Sequence, residues 1–156
     1  MTLETKSSLA ASTIAKLQDL IRINIDSDNG FRESAKQMED ESVARLFTDI
    51  ATQRAKNATE LQKFVEWNGE KAQKEGSFLA AFHRAWIDVR SAISGGDTHV
   101  ILSEAERGED TIKQMYEDAL KETAGSAVND VLTRQYSNVK AGHDKVRDLR
   151  DSYAKS

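Results

Sequence analysis

Apolar residues recur along the chain at three-and-four spacing, the mark of helices that bury one face, and no stretch alternates with the two-residue period of a strand. Ile14, Leu17, Leu20, Ile21 and Ile25 form the first stripe, in a helix predicted from Leu3 to Asp28 and ended by the turn dipeptide Asn29-Gly30. Phe31 to Glu39 adds a further turn or two. Asp40 or Ser42 then caps a long helix reaching Asn68-Gly69, with Val43, Leu46, Phe47, Ile50, Ala58, Leu61, Phe64 and Val65 on one wide face. Ser77 is the N-cap of a third helix, whose face carries Phe78, Phe82, Trp86, Val89 and Ile93 and which stops at Gly95-Gly96. Asp97 or Thr98 caps a fourth, which runs to Ala124 with Ile101, Leu102, Ala105, Ile112, Met115, Tyr116 and Leu120 inward. After Gly125-Ser126 the last helix reaches about Tyr153 through Val128, Val131, Leu132, Val139, Val146 and Leu149.

The connections set the expected architecture. Tight turns join the first two long helices and the last two, so each pair is an antiparallel hairpin. About 28 residues lie between the hairpins, more than an up-and-down bundle needs. As a helix, Ser77 to Ser94 spans roughly 27 Å, close to the length of a return along the bundle. The fold class is therefore all-α, a ferritin-like four-helix bundle of two antiparallel hairpins joined by a long helical crossover; the alternative is an irregular five-helix array.

Composition sharpens this picture. The 156 residues include no proline, which helix interiors exclude, and no cysteine, which removes disulfides, thiolate metal sites and cysteine nucleophiles. Residues 1–156 are expected to form a single domain, burying roughly 70% of the extended chain's surface. The 22 basic and 26 acidic residues are mixed, and the densest basic stretch, Lys140 to Lys155, carries Asp144, Asp148 and Asp151 among its cations. That pattern is a solvated helix face, and no nucleic-acid partner is expected. No apolar run approaches the roughly 20 residues of a membrane span. The N-terminal stretch, interrupted by Lys16 and Asp19, is amphipathic and unlike a signal peptide, so a cytoplasmic location is expected.

The strings GFRESA at Gly30, LFTDIATQRAKNATELQ at Leu46, GSFLAAFHRAW at Gly76, ILSEAERGED at Ile101 and YEDAL at Tyr116 resemble a bacterial family of ferritin-like helical-bundle proteins, a domain of unknown function. The resemblance covers nearly the whole chain. It implies the fold and carries no established activity.

A carboxylate-bridged di-iron centre in such a bundle takes a Glu from each of two helices and a Glu-x-x-His motif from each of the other two. This sequence has no Glu-x-x-His. Glu109, between Ala105 and Ile112, and His143, between Val139 and Val146, face inward at similar heights, but Lys140 stands where a carboxylate belongs. In the first hairpin Arg54-Ala-Lys-Asn57 replaces the motif, and the remaining position falls on Ile23 or Asn24. A cation where a ligand belongs argues for a degenerate di-iron site. Arg54 lies on the inward stripe between Ile50 and Leu61, and a buried guanidinium needs an acceptor. A core polar cluster of Arg54, Glu109 and His143 is therefore expected, with Arg54 paired to Glu109; the alternative is that Arg54 reaches solvent and Glu109 faces a water-filled gap. Gly108 and Gly142, inside helices and immediately before Glu109 and His143, mark the same level.

No Ser-His-Asp arrangement or Gly-rich phosphate loop is present, and His83, His99 and His143 lie far apart in the chain. The favoured reading is a non-enzymatic bundle, in an interaction or stress-related role, that acts through self-association or a protein partner and holds no cofactor. The alternative is an iron- or manganese-binding member with an altered mono- or dinuclear site of Glu106, Glu109 and His143. A small ligand between helices is a third reading. The crossover aromatics Phe78, Phe82 and Trp86 suggest a homo-oligomer. His83 and Arg84 read as packing or as a contact patch, Glu60 as a surface or capping charge, His99 as an exposed first-turn residue, and Asp26 and Asp28 as helix-ending residues in a local turn.

Overall fold

The computed structural model describes residues 4–76 and 80–154, and all their side chains except those of 80–85 and 154. Five helices account for most of it: α1 (Ala11–Gln37), α2 (Glu41–Trp67), α3 (Ala80–Gly95), α4 (Thr98–Glu122) and α5 (Asn129–Ala154). Extended pairing among the described residues is limited to one bridge between Thr5 and Ser8. Among the described residues, no helix is long and apolar enough to cross a membrane.

The first helix differs from expectation at both ends. It begins at Ala11 rather than near Leu3, because the preceding residues are tied elsewhere. Glu4 accepts from Ala10 N (3.3 Å) and Thr13 Oγ1 (2.9 Å), and Ser126 Oγ donates to its other oxygen (2.6 Å). The Leu9 amide donates to Asn68 Oδ1 at the end of α2 (2.8 Å). At its other end α1 does not stop at Asn29-Gly30 but runs unbroken to Gln37. Gly30 is there for contact: a Cβ at this position would collide with the indole of Trp86 on α3. Trp86 meets Phe31 edge-on (4.8 Å, 81°), and Phe31 meets Phe47 of α2 in the same way (5.1 Å, 70°). Asp40 caps α2, accepting from the amides of Ser42 (2.9 Å) and Val43 (3.1 Å). Gly125, at φ 82°, makes the turn between α4 and α5 that a residue with a Cβ rarely adopts.

α1 packs chiefly on α2, and α4 on α5 and α3. The connection from α2 to α4 climbs the length of α1. Gln18 bonds Lys71 O and Gln73 N (both 2.9 Å) near the start of α1, Gly76 abuts Asp26, Trp86 covers Gly30, and Ile93 and Thr98 face the Gln37–Asp40 end. α4 therefore starts where α1 finishes. It descends to Glu122, which pairs with Lys16 (2.5 Å), and α5 rises again until the Tyr153 hydroxyl donates to Asp40. Ser77, Phe78, Phe82, His83 and Arg84, singled out by the sequence, lie outside the residues or side chains described.

The core falls into two apolar clusters. One gathers Leu17, Leu20, Ile21, Ile23, Leu61, Ile112, Tyr116 and Leu132, with others; the second gathers Phe31, Val43, Phe47, Ile50, Ile101, Leu102, Ala105 and Val146. Every long helix switches cluster across a polar interval: Asn24 and Ser27 on α1, Arg54 and Asn57 on α2, Glu109 on α4, His143 on α5. These buried polar residues form a layer across the bundle, and the candidate chemistry lies in it.

Candidate functional site

Helical period sets the layer. On each helix the apolar stripe continues above and below, so the polar residue inside it is carried inward with its neighbours. Arg54 and Glu109 are each 0% exposed, and Arg54 Nη2 donates to Glu109 Oε2 across the core. Helix α5 makes room for them. A Cβ on Gly142 would lie 3.3 Å from Arg54 Nη2 and 3.4 Å from Glu109 Oε2. Gly108, one position before Glu109, is buried as well. Burial pushes the Glu109 carboxyl above its ordinary range, against the pull of Arg54 and then of His143. Arg54 Nε, Arg54 Nη1, Glu109 Oε1 and Ser27 Oγ have no hydrogen-bond partner among the described residues, although they are buried. Ser27 stands one turn from Asn24, at the height on α1 that faces Arg54 on the antiparallel α2.

Next to this pair, one residue from each of four helices joins a second network. Asn57 Nδ2 donates to Asn24 Oδ1 (3.3 Å), Asn24 Nδ2 to Tyr116 Oη (2.8 Å), and the Tyr116 hydroxyl to Gln135 Oε1 (2.7 Å). Gln135 Nε2 continues to Glu60 Oε1 (2.7 Å), whose other oxygen takes Arg134 Nη2 (2.5 Å). Glu60 is thus a link between α2 and α5 rather than an isolated surface or capping charge. Burial raises the Tyr116 phenol well above its usual range, so Tyr116 acts here as a neutral donor.

His143 does not turn to Glu109. Its Nε2 lies 2.7 Å from Asp110 Oδ1 and 3.6 Å from Glu106 Oε1, and its Nδ1 lies 3.1 Å from Asp144 Oδ1. The candidate ligand group that the fold assembles is therefore Glu106, Asp110 and His143, whose donor atoms all lie within 4.8 Å of one another. Of the expected set Glu106, Glu109 and His143, Glu109 is engaged by Arg54, and Asp110, the next residue on α4, takes its place beside the ring. Arg150 Nη1 also donates to Glu106.

The other singled-out residues have structural places. Lys140 is exposed. His99 is half-buried rather than exposed, and its carbonyl accepts from Ser103 Oγ (2.9 Å). Asp28 does not end a helix but pairs with Arg32 one turn on (2.8 Å), and Asp26 abuts Gly76. Two cations near the end of α5 pair with their neighbours, Arg147 with Asp144 (3.4 Å) and Asp148 (3.1 Å) and Arg150 with Asp151 (2.9 Å). Asp110, Tyr116 and Gln135 have roles that the sequence reading did not assign. For Asp110 the available signal was its place four residues after Glu106, which puts both carboxylates on one side of α4.

Residues 12–122 match the family model described as a Domain of unknown function (DUF2383). The chain belongs to this family. The match to the DUF2383 model spans α1 to α4, so Arg54, Glu106, Glu109 and Asp110 lie inside it, whereas Gly142 and His143 on α5 lie beyond it. Among curated proteins, none matches the chain.

Proposed function

We propose that this DUF2383 protein is a ferritin-like bundle in which an ion pair stands in for a di-metal centre, and that it works as a non-enzymatic interaction protein rather than through core metal chemistry. The observation that carries this reading is the buried Arg54–Glu109 contact, with Gly142 shaped to admit it. A di-iron centre needs several free carboxylates and imidazoles to neutralise two cations. The residues at this level do not fit one. A permanent cation occupies one ligand-like position, Asn24 and Asn57 bond to each other at two more, and the core carboxylate is taken.

The role then falls to the surface. Trp67, 60% exposed, is the most open large apolar side chain described, at the edge of a groove of about 530 Å³ lined by Ala55, Lys56, Thr59, Lys63 and Phe64 of α2. Such a position suits self-association or a protein partner. The core part of this reading is tested by elemental analysis and ferrous-oxidation assays on full-length protein purified without chelators. No metal that depends on Glu109 is expected, and no catalysed iron oxidation. Stoichiometric iron or manganese that disappears in Glu109→Ala yet survives in Asp110→Asn would overturn it. Light scattering on dilute protein tests the surface part: association that Trp67→Ala abolishes supports it, and a monomer that captures no partner contradicts it.

A further inference from the structure

We propose that Glu106, Asp110 and His143 form a mononuclear site for a divalent first-row transition ion, at the seam of α4 and α5 and outside the core pair. The three donors come from two rigid helices: two carboxylates four residues apart on α4 and one imidazole from α5, all within 4.8 Å of one another. One imidazole with two carboxylates suits zinc, manganese or ferrous iron, and leaves positions open to water.

Features beyond the proximity of the donors point to an ion. His143 is only 7% exposed, and its Nδ1 is fixed by Asp144, the outer partner that metal-bound histidines use to aim the other nitrogen at the metal. Nε2 is thereby directed at Glu106 and Asp110. Glu109, fully buried one position before Asp110, keeps Oε1 without a hydrogen-bond partner among the described residues, at the inner edge of the group. Access is open on one side, where the Asp110 side chain is 62% exposed.

Charge balance gives the exchange. Without an ion, the two carboxylates are held by His143 and by Arg150, which donates to Glu106. An ion arriving at Nε2 takes the place of the contact with Asp110 there, and any proton on that nitrogen leaves to solvent. Arg150 has a second partner in Asp151 (2.9 Å) and can release Glu106 without losing its pairing. Arg150 is therefore a competitor for the site, and its removal strengthens binding.

The test is titration of the chelator-stripped full chain with Co²⁺, followed by its visible absorption, and with Zn²⁺ by calorimetry. One equivalent is expected. Asp110→Asn and His143→Gln each weaken binding at least about tenfold, Asp144→Asn weakens it about 10–100-fold, and Arg150→Ala tightens it. Asp110 is exposed, so Asp110→Asn keeps the fold and stays informative even where His143→Gln does not. Absence of saturable one-to-one binding, or binding that Asp110→Asn leaves within about twofold of the unaltered protein, would overturn the proposal. The core reading stands apart from this result, because it depends on Glu109 and not on Asp110.

Discussion

Gly142 of α5 and Arg54 of α2 are so placed that a methyl group on the glycine would lie 3.3 Å from the guanidinium. The missing side chain on one helix is what admits the charge carried by another. Replacing Gly142 by Ala gains about 1 kcal/mol of helix propensity, and the crowding of an immobile ion pair offsets it, so a stability close to that of the unaltered protein is expected. Gly142→Val adds bulk the pair cannot yield to and is expected to cost about 1–3 kcal/mol. Urea unfolding of the two variants checks this; a Val variant as stable as the parent would mean that the pair is not confined there.

Gly30 makes a similar contact with Trp86, in the middle of a continuous helix. Gly30→Ala is expected to destabilise by about 1–3 kcal/mol, although Ala favours helix by about 1 kcal/mol, because the indole must move. Urea unfolding together with Trp86 fluorescence, read in a Trp67→Phe background, reports both effects. A stabilised variant with unchanged emission would show that α3 does not dock at Gly30.

Much of this was legible in the sequence, and the failures have physical causes. Arg54 between Ile50 and Leu61, and Glu109 between Ala105 and Ile112, are placed inward by helical period alone. The glycine before His143 marks the level of the ion pair. Period does not separate neighbouring positions at a helix–helix seam, which is why the carboxylate facing His143 is Asp110 and not Glu109. Asn29-Gly30 carries a strong local turn signal, yet a contact with a residue far along the chain decides its conformation. The early start expected for α1 fails for the same kind of reason: Glu4 and Leu9 are held by Ser126 and Asn68, partners that no local pattern reveals.

Stability should depend on pH through Glu109. Its carboxyl is raised by burial, so between the ordinary value of 4.5 and the higher folded one the native state holds more protons than the unfolded chain. This group's contribution to stability therefore falls as pH rises through that window. Urea unfolding at a series of pH values, compared with an Arg54→Leu/Glu109→Leu double variant, isolates it. The difference between the two profiles is expected to slope downward for the unaltered protein above pH 4.5; parallel profiles would contradict the raised carboxyl.

Asp40 links the start of α2 to the end of α5. It caps two amides, and the Tyr153 hydroxyl that donates to it is the main cause holding its carboxyl below the ordinary range. Asp40→Ala is expected to cost about 1 kcal/mol. For a lowered carboxyl the contribution is present above the ordinary aspartate value and lost as pH falls through the lower folded one, opposite in sign to Glu109. Thermal unfolding of Asp40→Ala and Tyr153→Phe near neutrality and at pH values below the ordinary aspartate value of 3.8 checks this. A cost that does not shrink on acidification would show that the charged carboxylate is not what caps the helix.

The pairing of Arg54 with Glu109 is tested most directly by a double-mutant cycle in urea with Arg54→Leu, Glu109→Leu and the double variant. Arg54→Leu leaves a buried carboxylate without its partner and is expected to cost about 3–5 kcal/mol, with the double variant markedly more stable than the sum of the single losses implies. A loss below about 1 kcal/mol for Arg54→Leu, with additive single effects, would contradict a core held by this ion pair.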